Sequence, residues 1–209
     1  MRRFVMVLAL LAVVATTFAI PTEAEEMKNK SNPVVVMETS MGTMEIELYK
    51  KEAPISVQNF EWYVNHAFFD GLVFHRVIDN FMIQGGGFTP DLSKKAGNEP
   101  IENEATNKLS NDKYTIAMAR TGVVNSATSQ FFINNKDNSA LDHRDTSQSG
   151  FGYCVFGKVI EGQDVVDKIS KVQTTTKSGM KDVPTQPVII EACYMKEDDK
   201  SSKSKKSSE

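Results

Sequence analysis

Cysteine, tryptophan and histidine are scarce in this chain of 209 residues, with two, one and three copies. Two cysteines cannot build a disulfide-dense scaffold. The three histidines, His66, His75 and His143, match no zinc-ligand spacing, and neither cysteine lies near one, so no metal site is expected. Charge of one sign is lacking too. With 24 Lys+Arg against 27 Asp+Glu the formal charge is −3, which removes a global electrostatic case for nucleic-acid binding. Twelve glycines and seven prolines are too few for a collagenous or low-complexity chain. What is present, 40% hydrophobic and 24% charged residues, is enough for one packed domain with tails.

Long hydrophobic runs are absent except at the start. Arg2 and Arg3 precede an almost unbroken apolar run from Phe4 to Ala15. A membrane-spanning helix needs roughly 20 apolar residues, and this run soon meets Pro21 and Glu23. Residues 1–24 are therefore expected to be a secretory signal, cleaved after Ala19 or Ala24. That predicts an exported protein, periplasmic or secreted, with no stable membrane insertion after cleavage. Residues 25–32 read as a linker. They hold Asn29-Lys30-Ser31, a glycosylation sequon that matters in a eukaryotic host. Residues 196–209 are Lys, Ser, Asp and Glu alone, which cannot bury apolar surface, so a disordered tail is expected. The domain is then 33–195. Export would let Cys154 and Cys193 pair, against the alternative of two buried free thiols.

Within the domain the signals are mostly strands. Val34 to Thr39 is apolar and β-branched, Ser40-Met41-Gly42 suits a turn, and Thr43 to Tyr49 alternates strictly. Pro54-Ile55-Ser56 suits a helix start, with Val57, Phe60 and Val64 at helical spacing and a break at Asp70-Gly71. Further strands are expected over 72–78, 81–84, 115–119, 130–133, 153–159 and 188–195, and a second helix over 163–172. Eight strands with two well-separated helices argue for a barrel or sandwich rather than a doubly wound sheet.

Familiar catalytic signatures are missing. No nucleophile-elbow sequence is present. Gly85-Gly86-Gly87 is followed by neither Lys-Ser/Thr nor a helix, so it reads as a tight turn with close backbone approach rather than a phosphate loop. What remains is a concentration of one Arg, one Gln and large apolar residues in FHRVIDNFMIQGGGF, residues 74–88, joined by SQFFI at 129–133. Such a mixture suits a socket for an apolar group and an amide. Strand plus core remains the plain alternative.

Those runs, with AMAR at 117–120, VFGKVIEG at 155–162 and the closing IIEAC strand, resemble the cyclophilin family of peptidyl-prolyl cis-trans isomerases over nearly all of 34–195, most of all its compact exported bacterial members. The resemblance implies a mainly β fold, a closed eight-stranded antiparallel β-barrel capped by two α-helices. It implies rotation about X–Pro bonds during folding of exported proteins, without a cofactor, on proline-containing unfolded or flexible polypeptides, by a monomer. A Pro-peptide binding or chaperone module with little turnover is the alternative. By family position the catalytic residues would be Arg76, Phe81 and Gln84. Met82, Ala119, Arg120, Gln130, Phe132, Leu141 and Tyr153 would contact substrate. Arg120 stands where eukaryotic members commonly carry Asn, which would alter local charge preference, and Tyr153 where many carry His. Ala140 stands where eukaryotic relatives often carry the Trp that contacts cyclosporin, so weak binding of that drug is expected. His75, beside Arg76, is expected to pack rather than catalyse.

Overall fold

The computed structural model describes residues 32–197; the expected signal, most of the linker and the tail beyond 197 lie outside them. The strands are β1 (Val34–Thr39), β2 (Gly42–Leu48), β3 (Arg76–Ile78), β4 (Met82–Gly85), β5 (Thr115–Met118), β6 (Phe131–Asn134), β7 (Val155–Glu161), β8 (Thr174–Lys177), β9 (Met180–Pro184) and β10 (Ile190–Met195). The helices are α1 (Pro54–Asn65) and α2 (Gln163–Ser170). Eight strands form one antiparallel sheet in the order β10-β1-β2-β7-β5-β6-β4-β3, while β8 and β9 pair separately.

This corrects the closed barrel. The sheet curls into an open half-barrel whose edges are β10 and β3. Before those edge strands the chain makes a single bridge, Val73 to Ile189, flanked by Phe74 N–H to Val188 O at 3.0 Å and Ile190 N–H to Leu72 O at 2.8 Å. The strand expected over 72–78 is accordingly three residues long. Leu72, Val73 and Phe74 are buried by side-chain packing, without a continuous ladder.

Local chemistry explains most elements. In β2 the alternation holds: Met44, Ile46 and Leu48 are buried while Glu45 and Glu47 face outward. The β1–β2 turn is tied by Thr39, whose Oγ1 donates to Gly42 O at 2.7 Å and accepts from Met41 N–H at 3.1 Å. Helix α1 starts with Pro54 in its first turn, but Ala53 offers no capping side chain. Glu104 substitutes from 48 residues away. Its carboxylate accepts from Ile55 N–H (3.0 Å), Ser56 N–H (2.8 Å) and Ser56 Oγ (2.7 Å). It thereby serves orphan donors and the positive end of the helix dipole.

The main core lies on one face of the sheet. Helix α1 contributes Val57, Phe60, Tyr63 and Val64, and α2 contributes Val165, Val166 and Ile169. Phe60 sits among Phe69, Phe131 and Phe156 with ring centroids 5.1–5.6 Å apart. Cys154 and Cys193 are both buried free thiols. Burial pushes the Cys154 thiol up to about 12 and raises that of Cys193 as well.

Candidate active site

The other face of the same strands carries a second, smaller apolar cluster. Met82, Ala117, Phe132 and Val155 form it, with Ile78, Phe81, Leu109, Ala119, Leu141 and Tyr153 packed against it. Register explains the separation. Along β6, Phe131 and Ile133 enter the main core and Phe132, between them, enters the second cluster. Cross-strand pairs then set a row: Arg76 on β3 opposes Gln84 on β4, Gln84 opposes Phe132 on β6, and Phe132 opposes Ala117 on β5. Directly opposed residues share a face, so a guanidinium, an amide and a phenyl ring line up side by side.

That row borders a cavity of about 110 Å³ lined by Arg76, Phe81, Met82, Gln84, Ala119, Arg120, Phe132, Leu141 and Tyr153. Nine of the ten residues singled out in the sequence therefore meet here. The tenth, Gln130, stands just behind, accepting from Gln84 Nε2 through its Oε1 at 3.0 Å. The glycine run gives that pair room. A Cβ on Gly87 would lie 2.5 Å from Gln130 Cγ. One on Gly86, whose φ is +82°, would lie 2.7 Å from Ser129 O. Close backbone approach is what the sequence led us to expect of these glycines.

The remaining walls are held partly by residues already singled out and partly by asparagines that the sequence did not flag. Tyr153 packs edge-on to Phe132 (81° between planes, centroids 5.6 Å apart), and its N–H donates to Leu141 O at 2.9 Å. An asparagine network fixes the turn that carries Leu141. Asn138 Nδ2 donates to Phe81 O and to Asn134 Oδ1, both at 2.7 Å. Asn134 Nδ2 donates to Thr115 Oγ1 at 2.9 Å, and Asn111 Nδ2 donates to Asp142 Oδ1 at 3.0 Å. The one legible hint was the density of asparagine in FINNKDN, after a strand.

The two arginines differ sharply. Arg120 is anchored. Its Nε donates to Gly152 O at 2.9 Å, its terminal amino groups to Thr121 O at 3.0 Å and Gln148 O at 2.9 Å, and its guanidinium lies 4.9 Å from the Tyr153 ring centroid. Arg76 makes one ion pair, Nε to Asp182 Oδ2 at 3.7 Å, and is partly exposed. Among the described residues no hydrogen bond engages its terminal amino groups. His75 is buried against Phe88, with ring centroids 4.6 Å apart, and lies outside the cavity wall. Its Nδ1 has no partner among the described residues. Burial holds its pKa down to about 4, with Arg76 pushing the same way and the Val73 backbone opposing.

The chain belongs to the cyclophilin-type peptidyl-prolyl cis-trans isomerases, the family whose description matches residues 34–195. Within that family it is 56% identical over 158 residues to a peptidyl-prolyl cis-trans isomerase of Streptomyces antibioticus, covering 76% of this chain and 95% of that one. It is 49% identical over 165 residues to peptidyl-prolyl cis-trans isomerase B of Escherichia coli, covering 78% of this chain and all of that one. Isomerase A of Dickeya dadantii is 47% identical over 183 residues, 88% of this chain and 95% of its own. The crystal structure of a Cryptosporidium parvum cyclophilin-type isomerase shares the fold with a TM-score of 0.67 at 24% identity, covering 80% of this chain and 99% of that one.

Proposed function

We propose that this chain is a peptidyl-prolyl cis-trans isomerase acting on X–Pro bonds of flexible polypeptides. The observation that carries the reading is the row Arg76–Gln84–Phe132 along an otherwise largely apolar cavity. Rotation about a prolyl bond is slow because it breaks amide resonance, although cis and trans differ by little. Bringing tens of seconds down to milliseconds is about 10⁴-fold, or roughly 5–6 kcal/mol of barrier. The step needs no nucleophile and no proton acceptor.

The proline ring enters the socket of Phe81, Met82, Phe132 and Leu141, which anchors one side of the rotating bond. Gln84, steadied by Gln130, binds the substrate carbonyl, and the 119–120 backbone guides the chain. As the bond twists, the amide nitrogen becomes pyramidal and its lone pair localises. A permanently protonated guanidinium beside that nitrogen stabilises this state more than the planar one. Arg76, whose terminal amino groups have no hydrogen-bond partner among the described residues, is the group placed to do so.

The location we propose is extracytoplasmic, supported by Arg2-Arg3 and the apolar run to Ala15. N-terminal sequencing of the protein from its native compartment, with a start at Ile20 or Glu25, checks it. The activity is tested by exchange spectroscopy on a prolyl peptide, with the parent and Arg76→Ala compared and folding checked by circular dichroism. We expect rapid turnover by the parent and a loss of at least about tenfold in the variant. A folded parent with no rate above background ends the isomerase reading.

A further inference from the structure

We infer that Asp182 is a positioning residue for Arg76, delivered by the β8–β9 hairpin. The inference rests on the isomerase reading. The hairpin stands apart from the eight-stranded sheet; every residue of β8 is exposed, and β9 buries only its far end, Val183 and Pro184, next to Asp182. It packs against β3, the strand that carries Arg76. Asp182 is absent from the cavity wall, yet its Oδ2 is the ion-pair partner of Arg76 Nε at 3.7 Å.

The geometry assigns a division of labour within one guanidinium. Its five N–H donors form a rigid fork. At 3.7 Å the contact is an ion pair and not a hydrogen bond, so it biases the rotamers of a long side chain from the Nε side and leaves the terminal amino groups for the cavity, where Arg76 lines the wall. Both partners are roughly 40% exposed (42% and 38%), so solvent screens the pair and the positive charge is oriented more than neutralised. An ordered Arg76 has less freedom to lose as the twisted amide forms. The benefit therefore falls on turnover and not on substrate capture.

The backbone supports a dedicated placement. Asp182 has a φ of +61°, a left-handed conformation that Asp and Asn adopt more readily than most residues. Asp182→Asn and Asp182→Gly both keep that conformation accessible while removing the charge. Each is expected to lower kcat about two- to fivefold with KM unchanged, the range of an exposed ion pair. The unfolding midpoint should not move. Parent activity should fall towards the variants' between about 0.01 M and 1 M salt, as the screening length drops from roughly 30 Å to roughly 3 Å, while theirs stays flat. In parallel, the Arg76 Nε–H resonance should shift and exchange faster in Asp182→Asn. Variants with the parent's kcat at low salt, or an unmoved resonance, overturn the inference while leaving the isomerase reading intact. A parent without turnover sinks that reading and the positioning role together, even where the resonance reports the pair.

Discussion

The two faces of β4 and β6 are built from alternate residues of the same short strands, and they differ in almost every physical respect. One face holds Ile83, Phe131 and Ile133, fully sealed within a core that both helices close. The other holds Met82, Gln84 and Phe132 beside an open cavity bordered by two arginines. The sealed face is apolar throughout and makes the fold. The open face mixes a cation, an amide and an aromatic ring, and it leaves their polar atoms partly unpaired. A residue shift of one along either strand would exchange the two sets, so the same register that seals the core also assembles the site.

The comparison predicts a clean split between stability and rate. Phe131→Ala removes a ring that touches Phe60, Phe69 and Phe74 with centroids 5.4–6.0 Å away. We expect a loss of about 3–5 kcal/mol, read from urea unfolding. Arg76→Ala, one row across on the open face, should stay within roughly 0.5 kcal/mol of the parent in the same titration while losing its rate. Equal stability losses at the two positions would erase the distinction between the faces.

His75 adjoins both regions, being buried like the core and next in sequence to Arg76. With a folded pKa of about 4 against 6.5 for an ordinary histidine, the unfolded chain takes up a proton here at a higher pH than the folded one. Stability therefore falls as pH drops from about 6.5 to about 4, by an amount on the order of 3 kcal/mol over the window. Exposed carboxylates such as Asp79, lowered by its hydrogen bond to Lys171, act in the same direction. The informative measurement is therefore a difference. A plot of unfolding free energy against pH should be flatter for His75→Phe than for the parent between pH 6.5 and 4. Parallel curves would show that the buried ring carries no such penalty.

Much of this was readable in the residues, and what was not has physical causes. Strict alternation exposed β2, and Pro54 with its helical spacing exposed α1, because one face of each is buried. The β8–β9 hairpin offered no such pattern, since Thr174 to Lys177 are all exposed. The segment 72–78 looked like one long strand because apolar residues report burial and not hydrogen-bonded pairing. Barrel closure was implied by the resemblance, whereas the residue pattern left barrel or sandwich open; closure depends on a ladder between β3 and β10 that apolar pattern cannot reveal. In the site, the motif around 74–88 carried residue types and the resemblance carried roles. The Arg76–Gln84–Phe132 row is a matter of register, and the Glu104 cap and the Asn134–Asn138 network join distant segments, which one sequence does not disclose.

Arg120 supplies the finest test, because it crosses from one kind of residue to the other. From its family position it was expected to shift local charge preference at the cavity. It does line the cavity, and its guanidinium is at the same time committed to the carbonyls of Thr121, Gln148 and Gly152 and lies over Tyr153. A charge so engaged tethers the 148–152 segment and steadies an aromatic wall more than it greets substrate. Arg120→Ala should therefore cost about 1–2 kcal/mol of stability and raise KM a few-fold with kcat nearly kept, since Arg76 is undisturbed. Arg120→Lys, which keeps the charge but not the fork, should behave like the alanine variant. If Lys restores KM, the charge itself matters at the cavity, and Arg120 belongs with Arg76 on the open face rather than with the scaffold that supports it.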